Sequence, residues 1–237
     1  MNRFLLRATT ALAAVSAAAL FVPASASAAP VSKAECAEIS TGNQPNGWEN
    51  TFGDEGGQAG KHSQTLVTDG DGSLELTTVE PRNRAASYHS AGQLPLGELT
   101  GPLTFQQNGA PAHWQIRVSG ADTTAPEAEN GFATLVWSGD STQDAFTSDQ
   151  WWATRPLPGL ERGQKATLAA LTTAAGPETV IDHYGVSVEG PVGTKGNIDN
   201  VTFNGCTTNF KAVGSSEEDD AFGSLGGLGL ADLIPLP

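Results

Sequence analysis

WQIRVS, residues 114–119, decides the fold. In an extended chain Trp114, Ile116 and Val118 point one way while Gln115 and Arg117 point the other, because successive side chains alternate across a strand. One apolar face and one wet face is the pattern of an antiparallel sheet with a core on one side only. SLELTTV, residues 73–79, repeats the pattern with Leu74 and Leu76. Working outward, similar short runs fall near 48–52, 63–68, 86–90, 103–106, 132–137, 150–153, 179–188 and 198–204. The 28 Gly and 14 Pro are spread between them, and charged residues make up only 16%. Strands of this length between turn signals predict an all-β protein, a two-sheet antiparallel β-sandwich. KATLAALTTAAGP, residues 165–177, departs from the pattern. Leu168, Leu171 and Thr172 fall at helical spacing with Gly-Pro as the stop, so one short crossover helix is expected to pack on the sandwich. DGDG at 69–72 has the composition of a hairpin turn, and also of the opening of a calcium loop whose other ligand positions are missing.

The ends of the chain carry an address. MNRFLLRATTALAAVSAAALFVPASASAAP has two arginines, an apolar run of about a dozen residues and small residues before Ala28, the layout of a secretory signal peptide spanning 1–28. The apolar run is too short to span a bilayer, which takes ~20 helical residues. Removing Arg3 and Arg7 reduces the 12 Lys+Arg to 10 against 26 Asp+Glu, a net charge of -16. Such a surface repels phosphate backbones and anionic lipid, so no nucleic-acid partner is expected. Two cysteines remain, Cys36 and Cys206, an even number in an oxidising compartment. They are expected to pair and staple the two ends of one domain. The segment 29–46 leads to a sandwich domain over 47–210, and 211–237 is an acidic, then Gly/Leu-rich tail. That tail is expected to be disordered or to serve as a short apolar hook over 225–236.

GNIDNVTFNGCTTNF, residues 196–210, raises a separate question: why Asp199 and Asn200 interrupt an apolar strand. With the Trp151-Trp152 pair, the short helix and VIDHYGVSVEG at 180–190, this stretch resembles secreted actinobacterial jelly-roll proteins of unassigned function. More distantly it is similar to galactose-binding-like carbohydrate-binding modules, whose last strand often carries an acidic residue between apolar ones. The resemblance implies a jelly roll and a structural calcium ion in which Asp199 is the late ligand and Glu49, in GWENTF, the early one. Without metal, Asp199 pins the strand by accepting backbone N–H bonds.

Sugar rings are bound by flat aromatic side chains with amides and carboxylates around them. Trp151 and Trp152 are adjacent, so in a strand they face opposite ways and one is left as a candidate platform. Arg155 and Tyr184 are candidate polar partners. Trp48, Trp114 and Trp137 are expected in the core. No catalytic motif is present, and the four histidines have no metal-ligand spacing. His183 beside Asp182 is set aside as a general base, because neighbours in a strand face opposite ways. The expectation is a secreted, cell-wall-associated or extracellular, non-catalytic module for carbohydrate. The competing expectations are a structural or adhesive envelope protein working through protein contacts, and a glycan hydrolase or lyase whose carboxylates meet only in space.

Overall fold

A computed structural model describes residues 36–53, 60–140 and 142–212. The expected signal peptide, 1–28, and the tail from 213 onward lie outside the described residues. The described residues form eleven strands and one α-helix: β1 (Ile39–Thr41), β2 (Lys61–Ser63), β3 (Ser73–Thr77), β4 (Arg84–Pro95), β5 (Thr104–Gly109), β6 (Ala112–Ser119), β7 (Ala133–Trp137), β8 (Trp151–Ala153), α1 (Leu168–Ala175), β9 (Val180–Glu189), β10 (Lys195–Phe203) and β11 (Cys206–Lys211). They build two sheets, so the all-β sandwich is as expected. The first runs β1-β11-β10-β3-β2 with β5 on the other edge of β10; the second runs β4-β9-β6-β7-β8 and is antiparallel throughout.

WQIRVS behaves as its alternation requires. Trp114, Ile116 and Val118 are fully buried between the sheets, and their partners Trp137, Leu135 and Ala133 on β7 face the same way. Tyr184 of β9 stacks on Phe203 of β10 at 3.8 Å between ring centroids, which joins the two sheets at mid-height. Phe105 packs against Trp114 and Trp137 beside them. Burying each such side chain contributes roughly 2–3 kcal/mol, so these rings dominate the core.

Two expectations are corrected. The first sheet is mixed, because β1 pairs with β11 in parallel. Cys36 lies three residues before Ile39 and Cys206 three before Asn209, the partner of Ile39, so the disulfide extends the parallel ladder by another rung. Its Cα atoms are 5.6 Å apart. The run 48–52 forms no strand; Glu49 makes an isolated antiparallel bridge to Tyr88, while the Trp48 ring closes the end of the core against Tyr184 and Phe210.

The helix begins at Thr167, whose side chain accepts from the Ala170 N–H, and stops at Gly176 with φ 90°. Leu168, Leu171 and Ala175 are buried, so it joins the core while carrying the chain from the edge strand β8 back to β9.

The interruption at Asp199-Asn200 also has a structural reason. β10 pairs with β3 up to Ile198 and with β11 from Val201 onward, so these two residues sit where it changes neighbours. Ile198, Val201 and Phe203 all belong to the core, and the spacing of three between the first two would put them on opposite faces of a regular strand. A bulge taken up at Asn200, with φ 48°, restores the parity.

Candidate functional site: an arginine-lined face

The outer face of the second sheet is where polar side chains collect. The alternation that buries Trp114 and Ile116 turns Gln115 and Arg117 outward, and register brings Thr134 of β7 beside Arg117. Two adjoining cavities open on this face, with Phe132 and Arg155 lining both. The first, of about 260 Å³, is lined by Arg82, Arg84, Arg155 and Arg162. Gln115, Thr134, Thr154 and the Phe132 ring complete it, and no carboxylate is among its lining residues. The second, of about 430 Å³, has Arg117 and Arg155 facing Glu127, Glu129 and Asp182.

Each arginine is held differently. Arg117 is only 7% exposed, with its guanidinium carbon 4.0 Å from the Phe52 ring centroid and 4.7 Å from that of Phe132. A guanidinium between aromatic faces is stabilised by their quadrupoles in place of water. Arg155 reaches Glu127 at 3.2 Å and Arg84 reaches Glu189 at 3.5 Å, both at partly exposed positions. Arg82 and Arg162 are exposed and have no ion pair among the described residues.

The four side chains expected to form a sugar site separate. Trp151 is fully buried and donates its Nε1–H to the Ala145 carbonyl at 2.6 Å. Tyr184 is buried as well, its hydroxyl pushed far above the usual range by burial. Trp151 and Tyr184 lie on the inward parity of β8 and β9 and are core, so of the tryptophan pair it is Trp152 that is left outside. Trp152 faces out, half-buried, with its Nε1–H given to Ser138 Oγ at 3.2 Å. It stands one rung along from Thr154, opposite Val136. Arg155 is the expected residue that lines the cavities. His183 packs edge-on against Phe52, and burial holds its pKa below the usual value. Its neighbour Asp182 accepts from Ser119 Oγ and the Gln93 amide instead of orienting the ring.

A separate acidic group sits on the first sheet. Ligand oxygens of Asp69, Asp71 and Asp199 lie within 4.8 Å of one another, joining the DGDG turn to the β10 bulge. Asp199 is wholly buried, and its Oδ1 accepts from the Asn200 and Phe210 N–H groups at 2.8 and 3.0 Å. Burial pushes its carboxyl up to about 6, against those two hydrogen bonds. Asp71 holds Lys211 at 3.3 Å and the Asn209 amide at 3.1 Å. Burial works to raise its pKa, but hydrogen bonds from Asp69, Asn209 and Lys211 hold it below the usual value. The Oδ1 atoms of Asp71 and Asn209 are buried and receive no hydrogen bond among the described residues. Three carboxylates with unused buried oxygens beside them are the donor chemistry of a hard cation, and the set fits one. Glu49 stands apart: it is exposed, bridges Tyr88 and acts electrostatically on His183.

No protein-family model matches this chain, and neither a curated protein nor a solved structure is significantly similar to it. Sequence reasoning missed Arg82, Arg84, Arg117 and Arg162 as a group. The signal was present, since they and Arg155 are all the arginines after Arg7.

Proposed function

We propose that this chain is a non-catalytic binding module that works outside the cytoplasm and takes carbohydrate, such as a cell-wall glycan, on the outer face of its second sheet. The observation that carries the reading is the first cavity: an aromatic ring, an amide, two threonine hydroxyls and four guanidiniums converge on it. That combination suits a sugar, whose ring offers an apolar face to Phe132 and hydroxyls to planar donors. The absence of a carboxylate from that lining favours binding over glycoside cleavage, which uses a carboxyl pair. The disulfide supports an oxidising location. No helix among the described residues is long and apolar enough to cross a membrane.

Calcium belongs to the same reading. Asp69, Asp71 and Asp199 would hold it, with the early ligands drawn from the DGDG turn instead of Glu49, and the ion would supply structural pinning of the β3–β10–β11 junction. Its site lies on the opposite sheet from the arginines, so it stabilises the sandwich without touching the ligand.

The test is retention of the protein, lacking residues 1–28, on a panel of insoluble polysaccharides and bacterial cell walls beside Phe132→Ala and Trp152→Ala variants checked for folding. Retention weakened by Phe132→Ala supports the reading. A folded protein retained by no glycan counts against it. Trp151→Ala is unsuitable here because it opens the core.

A further inference from the structure

All five arginines that follow the signal segment line the two cavities of one sheet face, in a chain with 26 acidic residues. The described lysines lie elsewhere: Lys61, Lys195 and Lys211 are in the first sheet, and Lys165 donates to the Gln150 carbonyl beside β8. Gathering four guanidiniums around one cavity costs Coulomb repulsion that folding alone gives no reason to accept, since acidic neighbours are plentiful across the surface. Two of the four, Arg82 and Arg162, have no ion pair among the described residues. Arg84 pairs with Glu189 and Arg155 with Glu127, whose side chains are 49% and 62% exposed. Exposed pairs of that kind are weak and readily exchanged for a better anion.

Building on the binding reading above, we infer that the ligand is an anionic glycan, and that Arg82, Arg84, Arg155 and Arg162 grip the charged group of one sugar unit while Phe132 takes its ring. The residue type fits the chemistry. A guanidinium stays charged at every physiological pH and meets a carboxylate, sulfate or phosphate with two parallel N–H donors, where an ammonium offers a point charge. The cavity, about 260 Å³, suits one unit, not a long polyanion. The strongly negative remainder of the surface repels nucleic acid, whose charges are closely and continuously spaced, and tolerates a glycan whose charges are spaced by whole sugars. Arg117 is the support: wedged between Phe52 and Phe132, it fixes the ring that two cavities share.

The experiment is calorimetry of the chain lacking residues 1–28 against four probes: a neutral glucan, a polyuronate, a sulfated glycan and a phosphate-bearing wall polymer, with a single-stranded oligonucleotide as a fifth. Wild type is compared with Arg162→Ala, Arg82→Ala/Arg162→Ala and Arg162→Lys. Both substituted positions, Arg82 and Arg162, are exposed and have no ion pair among the described residues, so folding survives their loss. The inference expects binding to at least one anionic glycan, weakened about tenfold by Arg162→Ala and about 100-fold by the double variant, as loss of charge-assisted hydrogen bonds implies. Arg162→Lys falls between, because it keeps charge and loses the paired donors. The three anionic glycans tell carboxylate, sulfate and phosphate apart. Binding to neutral glucan alone overturns the anionic ligand while leaving the carbohydrate reading intact. Binding to no glycan overturns both. Anionic binding indifferent to the arginine variants, or matched by the oligonucleotide, overturns the site.

Discussion

Asp199 is the residue on which local chemistry is sharpest. Its folded-state pKa of about 6 lies above the ordinary 3.8, so the fold favours the neutral carboxyl. The stability it contributes is whole below about pH 4 and is lost as pH rises through about 6. The lowered pKa values of His62, His113 and His183 act the other way, adding stability that is present above 6.5 and lost as pH falls. Comparison with Asp199→Asn separates the two, because the amide oxygen can still accept from Asn200 and Phe210. In chelator, thermal melts should show the variant gaining on wild type between pH 4 and 7, by an amount on the order of 3 kcal/mol. A difference flat with pH would contradict the burial argument. Added calcium favours the charged carboxylate and should reverse wild type's loss at pH 7. At about 100 times the dissociation constant the gain is about 2.7 kcal/mol, or a Tm rise of roughly 5–10 °C, that Asp199→Asn largely removes. An unchanged melt in millimolar calcium would rule out the ion.

At the scale of elements, the β10 junction depends on Gly72. Its φ is 130°, and a Cβ there would come within 2.5 Å of the Ala212 nitrogen and 2.7 Å of the Ser63 carbonyl. Gly72→Ala should therefore cost about 2–4 kcal/mol in denaturant unfolding, far more than a surface change. Thr167→Ala, removing the helix cap, should cost about 1 kcal/mol. A Gly72 variant as stable as wild type would show that the turn can move away from β11. How much of this level the sequence disclosed follows from pattern length. Runs of five or more with clean alternation, such as 73–77 and 114–119, could be read directly. β1 has only three residues, too few to show a period, and the expected runs end at 204, short of β11, although Cys206, Thr208 and Phe210 alternate inward. The Asp199-Asn200 break was noticed, but its cause was hidden, because a bulge answers to which strands lie on either side and not to local sequence.

For the whole molecule, the disulfide closes a separation of 170 residues and ties the first strand to the last. Chain-entropy reasoning gives about 5 kcal/mol for so long a loop, an upper figure, so Cys36→Ser/Cys206→Ser should lower Tm by up to roughly 10–20 °C. The sandwich and its staple were legible because they rest on periodicity and on a count of two cysteines. The candidate site was not, because it gathers residues 82–84, 115–117, 132–134 and 154–162 from separate strands and loops, and only the topology brings them together. The Trp151-Trp152 pair drew attention as neighbours in sequence, yet strand parity sends one of them into the core. The most direct test of the account is a two-dimensional NMR titration of the labelled protein with a glycan that it retains. The account predicts shifts in the arginine side-chain signals of Arg82, Arg84, Arg155 and Arg162 and in the backbone of β6 and β7, with β3, β10 and β11 silent. Shifts confined to the first sheet, or to residues outside the arginine-lined face, would contradict it.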